Sequence, residues 1–136
     1  MKRNVCIRNY VGHHEGVSKI VFSSDGKKMY SGSLDRTVRE WSTESGECLR
    51  VIDTRIHVRT IAISPDEQSM LIGEHNEGRG IISEVDIKSG KSLRVYQHHR
   101  STVSMLEYLP NGNEFVSFSH DRFLLIWKRG KERPVN

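Results

Sequence analysis

The sequence predicts an all-β chain built from about three copies of one unit of four short antiparallel strands. Two observations predict it. The first is internal repetition, sought before anything else because it decides the whole fold. Val17-Ser18-Lys19-Ile20-Val21-Phe22-Ser23-Ser24-Asp25-Gly26 aligns with Val58-Arg59-Thr60-Ile61-Ala62-Ile63-Ser64-Pro65-Asp66-Glu67, and again with Val103-Ser104-Met105-Leu106-Glu107-Tyr108-Leu109-Pro110-Asn111-Gly112. Ser45-Gly46-Glu47-Cys48-Leu49-Arg50-Val51-Ile52 likewise matches Ser89-Gly90-Lys91-Ser92-Leu93-Arg94-Val95-Tyr96. The second observation is the spacing of apolar residues, which is short and strand-like throughout. No segment shows ten or more residues of period 3.6 with helix caps.

Each element follows from local pattern. Ile20-Val21-Phe22, Lys28-Met29-Tyr30 and Thr37-Val38-Arg39-Glu40-Trp41 are strand-length and rich in β-branched or aromatic residues. Ser24-Asp25-Gly26, Glu44-Ser45-Gly46 and Pro110-Asn111-Gly112 are turn signals between them. The repeat recurs after 41 residues, from Val17 to Val58, then after 45, from Val58 to Val103; the extra length falls in an expected enlarged loop, Glu74 to Gly80. Four short strands in roughly 42 residues is the pattern of a β-propeller blade. Val5-Cys6-Ile7-Arg8 resembles a fourth, outer strand, and nothing after Trp127 does. The expected division is an outer strand at about 4–11, a blade at 12–52, a divergent blade at 53–96, a blade at 97–130 and a basic tail at 131–136.

Length and composition limit the function classes. The chain has 136 residues, 35% of them hydrophobic, with 21 Lys+Arg against 17 Asp+Glu. That is one domain or a piece of one, too apolar to be a disordered tail. No run approaches the ~20 apolar residues of a membrane-spanning helix, and the first residues do not read as a signal peptide. Two cysteines, Cys6 and Cys48, make neither a disulfide framework nor a close-spaced metal motif. A reduced intracellular protein is expected, cytoplasmic in the first instance, with nuclear and cytoskeletal sites as alternatives. The formal charge of +4 is mild and permits an acidic partner without implying one.

At this point the chain resembles the WD-repeat (WD40) β-propeller family along nearly its whole length. Gly12-His13 precedes Val17, Tyr30-Ser31-Gly32-Ser33-Leu34-Asp35 follows, and Trp41 closes the third strand; the third unit repeats this with His99, Ser117, Asp121 and Trp127. His98 replaces the glycine there, and Ser42 and Lys128 follow the tryptophans where the family has aspartate. The resemblance implies that His13, Ser31, Asp35 and Trp41, and likewise His99, Ser117, Asp121 and Trp127, form hydrogen-bonded chains that lock their blades. The chemistry agrees: a buried indole N–H needs an acceptor, a serine hydroxyl can accept and donate onward, and an imidazole can end the chain on a carboxylate.

Ser-His-Asp is also the composition of a hydrolase triad. Here it occurs twice at equivalent repeat positions, each time followed by a strand tryptophan, and no Gly-x-Ser-x-Gly elbow is present. No catalytic residue is assigned, so no enzyme is expected, and no cofactor. Of the seven histidines, one of each pair His13-His14 and His98-His99 belongs to a lock, which leaves His14 and His98 on loops of different blades; no metal site is assigned. The second unit departs from the pattern, with Thr54 for the histidine and Val85 for the tryptophan. It is expected to rely on apolar packing of Val58, Ile61, Ile63, Leu71, Ile82 and Val85.

Three blades do not close a ring, since propellers have about four to eight. The chain is therefore expected to be a partial propeller or half of an oligomeric ring. It would be a segment of a longer propeller, a self-paired dimer, or a part completed by another chain. The function the resemblance implies is a non-catalytic scaffold, a protein–protein interaction module whose loops meet protein or peptide partners. Expected contact positions on the top-face loops are His14, Glu15, Lys19, Leu34, Arg55, His57, Arg100 and His120. An arginine set beside histidines suits an acidic or phosphorylated peptide. The alternative is nucleic-acid association, with RNA or chromatin phosphates held by the basic loops and by Lys128-Arg129-Gly130-Lys131-Glu132-Arg133. No membrane partner is expected.

Overall fold

The computed structural model describes residues 3–131 and 134–135. Among these, twelve strands form three four-stranded antiparallel sheets, and there is no helix. The first sheet runs β1 (Val17–Phe22), β2 (Lys28–Ser33), β3 (Thr37–Ser42) and β4 (Cys48–Asp53). The second runs β5 (Val58–Ile63), β6 (Ser69–Asn76), β7 (Arg79–Asp86) and β8 (Ser92–Gln97). In the third, β9 (Val103–Tyr108), β10 (Glu114–Ser119) and β11 (Leu124–Lys128) are joined by the short β12 (Pro134–Val135). Every neighbour in space is the neighbour in sequence, so each sheet is a meander made by local turns.

The repeat shows in the register as well as in the sequence. Each first hairpin carries an irregularity near its start, between Val17 and Lys19 and between Val58 and Thr60, and in the third sheet between Phe118 and Ser119 on the strand facing Val103. A bulge there bends the strand and re-aims the residues beside the loop. Side chains alternate beyond it: Ile61 faces the first sheet while Ala62 faces the third.

Two cores hold the sheets together. Tyr30, Val38 and Ile52 of the first sheet pack on Val58, Ile61, Met70, Ile72, Val85 and Ile87. On the opposite side of the second sheet, Ala62, Leu71, Ile82 and Tyr96 pack on Val103, Leu106, Tyr108, Phe115 and Trp127. Burying each of these large side chains is worth roughly 1.5–3 kcal/mol. The outward faces of the two end sheets stay open: Val17, Ile20 and Phe22 on the first, and Met105, Phe118, Leu124 and Ile126 on the third, are all exposed.

Three local expectations need correcting. No strand forms over 4–11. A strand needs an unpaired edge, and the outer edge of β11 is taken by Pro134–Val135 through the pairs Ile126↔Val135 and Trp127↔Pro134. The third sheet therefore does have a fourth strand after Trp127. The 4–11 segment lies instead against the first sheet, where Arg8 Nη1 and Tyr10 Oη donate to the Thr43 carbonyl at 2.8 and 3.0 Å. The enlarged loop at Glu74 to Gly80 is likewise no loop. It extends β6 and β7 to eight residues each, through the pairs Glu74↔Ile81, His75↔Gly80 and Asn76↔Arg79. Glu77 and Gly78 make the turn with φ of 46° and 77°, both positive, as a type I′ hairpin turn requires. Within the expected basic tail at 131–136, residues 132, 133 and 136 lie outside the described residues.

Candidate functional site

Two polar chains run through the first and third sheets. Trp41 Nε1 donates to Ser31 Oγ at 2.8 Å, that hydroxyl meets His13 Nε2 at 2.6 Å, and His13 Nδ1 meets Asp35 Oδ2 at 2.8 Å. The third sheet repeats the geometry: Trp127 to Ser117 at 2.8 Å, Ser117 to His99 at 2.6 Å, His99 to Asp121 at 2.9 Å. One proton arrangement satisfies every member, with serine donating to Nε2 and the Nδ1 proton on the carboxylate. Each aspartate also anchors loop backbone. Asp35 accepts from the amides of His14 and Thr37, and Asp121 from those of Arg100 and Phe123.

These partners set the acids' protonation. Burial pushes the Asp121 carboxyl up, but the Phe123 and Arg100 amides and the His99 ring outweigh it and hold it at about 2. Burial raises Asp35 too, and the Thr37 hydroxyl, His13 and the His14 amide more than reverse it, leaving the carboxyl far below the usual range. Both aspartates are ionised throughout the neutral range.

The second sheet has no such chain. Val85, in the core between the first two sheets, stands where the others have tryptophan, and Ile72 where they have serine. Thr54 turns its hydroxyl to the carbonyls of Arg36 and Ile56, at 2.8 and 2.7 Å, and so ties two loops together. Val58, Ile61 and Val85 pack against the first sheet, with Ile63 at the margin, and Leu71 and Ile82 against the third.

A different polar group braces the second and third sheets, and it was not singled out from the sequence. Glu84 is buried; its Oε1 accepts from Arg129 Nε and Nη2 at 2.8 and 2.5 Å, and its Oε2 from the Tyr96 hydroxyl at 2.8 Å. Arg129 also reaches Ser69 Oγ and lies over the Tyr108 ring. A signal was present, because Glu40 occupies the same repeat position and pairs with Lys28 and Arg50. The outer-strand arginines repeat as well. Arg50 donates to the carbonyls of Lys88 and Ile87 in the second sheet, and Arg94 to that of Gly130 in the third.

The loops before each first strand and after each second strand gather on one rim. His14 and Glu15 are exposed in the first connection, Arg55 in the second, and Arg100 in the third, with His120 on the β10–β11 turn. Hydrogen bonds stitch these loops side to side. Leu34 N meets Gly16 O, His57 Nδ1 meets Leu34 O, Thr54 N meets Arg36 O, His75 Nδ1 meets Thr102 Oγ1, and His120 N meets Thr102 O. Leu34 and His57 are consequently half-buried parts of the scaffold. Lys19 is not a loop residue: the bulge draws it into β1 opposite Gly32, on the edge strand that packs beside β5. Among the described residues no group of three or more His, Cys, Asp or Glu is placed to hold a metal ion. Among the described residues no helix is long and apolar enough to cross a membrane.

Comparison with known proteins agrees with this architecture. Pre-mRNA-processing factor 17 of Homo sapiens is 29% identical over 125 residues, covering 90% of this chain and 21% of that protein. Its Saccharomyces cerevisiae counterpart is 26% identical over 135 residues, covering 96% and 29%. The protein groucho of Drosophila melanogaster is 28% identical over 130 residues, covering 94% and 17%. The chain thus spans under a third of the curated relatives it matches. Among solved structures, the WD40 repeats of RRP9 superpose with a TM-score of 0.83 at 27% identity, covering 95% of this chain and 40% of that one. The structure of U3-55K gives 0.81 at 27% identity, covering 95% and 41%. The family model for the WD domain, G-beta repeat, matches residues 4–42 and 90–128, the two stretches that hold the Trp-Ser-His-Asp chains, and the chain belongs to that WD40 family.

Proposed function

We propose that the chain is a non-catalytic interaction module that presents its loop rim to a protein or peptide partner within an RNA-processing assembly. The observation that carries the reading is the rim itself. Its loops are joined by hydrogen bonds into one platform, from which His14, Glu15, Arg55, Arg100 and His120 project. Partners of this kind gain affinity when the binding loops are already ordered. The mixture of arginine and histidine suits acidic or phosphorylated side chains.

The polar chains argue against hydrolysis. Ser31 and Ser117 are 2% and 1% exposed, and each hydroxyl is already engaged by an indole and an imidazole. A nucleophile must reach substrate beside an oxyanion hole. The assembly class rests on likeness to a pre-mRNA-processing factor, which favours a nuclear site over the cytoplasmic one.

Direct phosphate binding by RNA is the second reading, favoured by Arg55 and Arg100 lying exposed on one rim. It draws little from Arg129, whose guanidinium is spent on Glu84. The test is an array of acidic, phosphorylated and neutral peptides beside single-stranded RNA, read with the native chain and with Arg55→Glu/Arg100→Glu. Acidic peptides retained by the native chain and lost tenfold or more in the variant support the module. RNA binding that falls steeply with salt, with no peptide retained, replaces it with the second reading.

A further inference from the structure

The second sheet's missing polar chain leaves a space. Where Trp127 and His99 fill the third sheet against the second, Val85 and Thr54 are smaller, and a cavity of about 470 Å³ opens between the first two sheets. Ile52, Ile56, Ile72, Ile81, Val85 and Val95 make most of its wall apolar, beside the Thr54 and Ser83 side chains. Its mouth is formed by exposed Asp53, Arg55, Ser92 and Gln97. One ionisable side chain lines the interior, Glu74, which is only 3% exposed.

Glu74 is unlike the other buried acids. Glu40 has Lys28 and Arg50, and Glu84 has Arg129 and Tyr96. Among the described residues no donor or cation reaches Glu74, and burial alone raises its carboxyl to about 7. At the equivalent positions Ser33 and Ser119 stand, each satisfied by a loop carbonyl. The neighbouring His75 is committed to Thr102, and among the described residues the other charged groups lining the cavity are Asp53 at the end of β4 and Arg55 in the connection after it, both at the mouth. An acid in an apolar wall without a partner is costly unless a cation arrives.

We propose that this cavity binds an aliphatic ammonium group, its apolar stem against the isoleucines and its charged nitrogen on the Glu74 carboxylate. The size lies within the range of about 300–1,000 Å³ typical of ligand pockets, and one charged group in an apolar wall is the usual way such pockets fix orientation. Two sources share this chemistry, a free alkylamine and a lysine side chain of a partner segment. The absence of an aromatic cage around the acid favours a primary ammonium over a quaternary one.

The test uses the full chain and n-butylammonium chloride, followed by amide chemical shifts near pH 8, where Glu74 is ionised. A saturable shift confined to residues 52–56 and 72–85 is expected, with n-butanol at least about tenfold weaker. Glu74→Gln, which keeps the shape, lowers the affinity by about tenfold or more while melting cooperatively. Val85→Trp fills the space and abolishes binding; should it fail to fold, Glu74→Gln carries the result. A blocked Gly-Lys-Gly peptide that binds as well as butylammonium names a protein lysine as the source, and its exclusion names a free amine. No saturable shift at tens of millimolar, or equal binding by butanol and by the Gln variant, overturns the proposal.

Discussion

Ser117→Ala isolates the worth of one polar chain. The hydroxyl accepts from Trp127 Nε1 at 2.8 Å and faces His99 Nε2 at 2.6 Å, and both rings are buried. Removing it leaves an indole donor and an imidazole acceptor without partners, in a site too closed for water to replace them. An orphaned buried polar group costs roughly 1–3 kcal/mol, so the pair predicts a loss of about 2–6 kcal/mol. Against a typical domain stability of about 5–15 kcal/mol that is a large fraction. Urea unfolding followed by tryptophan fluorescence should show the midpoint falling at unchanged slope. Ser24→Ala, on an exposed turn, is the control and should move stability by no more than about 0.5 kcal/mol. Combining Ser117→Ala with Trp127→Phe removes one orphan, so the double variant should lose less than the sum of the two. A Ser117→Ala loss below about 1 kcal/mol, or strict additivity with Trp127→Phe, would refute the account of the chain as a mutually satisfied network.

Four further outcomes follow from other groups. Asp121 is held at about 2 in the fold against an ordinary value of 3.8, so its contribution is present above about pH 4 and is lost as pH falls toward 2. Acid unfolding of Asp121→Asn should begin from lower stability and depend less on pH in that window. Glu74 has the opposite sign. Its folded value near 7 exceeds the ordinary 4.5, so ionising it opposes folding across about pH 4.5–7, and Glu74→Gln should gain roughly 1–3 kcal/mol at pH 8 and nothing near pH 4. Arg129→Met strips the cation from buried Glu84 and should cost about 3–5 kcal/mol in chemical unfolding, most of it recovered by adding Glu84→Gln. Phe118→Gly should raise the sedimentation-measured fraction of associated chain, because the equivalent residues of the first two sheets, Gly32 and Gly73, are what make room for a valine of the following sheet.

The strand pattern was legible because it is written in local terms. Alternation and turn residues fix each hairpin, and the three copies check one another. The spacing of Ser31 from Trp41 and of Ser117 from Trp127 is set by the same second hairpin in two sheets, which is why residue type and position recur together. In segment 4–11, Val5-Cys6-Ile7-Arg8 carries strand propensity, whereas pairing depends on which edge remains open elsewhere. At 74–80 extra length alone suggests a loop, whereas Glu77-Gly78 is a two-residue turn flanked by residues able to pair. Lys19 lies in β1 and not on the loop because a bulge shifts register by one residue, which leaves no mark in the apolar pattern. Glu84 and Arg129 belong to different repeats, and no local spacing links them.

The open face of the third sheet differs from the faces used inside the molecule, and the difference constrains what can cover it. In the first sheet Gly32 lies under the second sheet's Val58, close enough that a Cβ there would sit 2.5 Å from Val58 Cγ1. Gly73 repeats this under Val103 Cγ1, at 3.0 Å. The valine of each following sheet therefore occupies the room that a missing side chain leaves. In the third sheet the same register position, opposite Met105 and Leu124, is Phe118. Ile126 stands where the other sheets have Glu40 and Glu84, so this face is also more apolar than either internal one. A second copy seated in the internal geometry would bring Val17 onto the Phe118 ring, and two side chains cannot share that volume. Whatever sheet covers this face must either carry a smaller residue than valine at the equivalent position or sit displaced from the internal geometry. Simple head-to-tail stacking of identical chains satisfies neither condition. The constraint comes from one residue, since Leu124 merely enlarges the apolar contact that Val38 and Ile82 make at the same position.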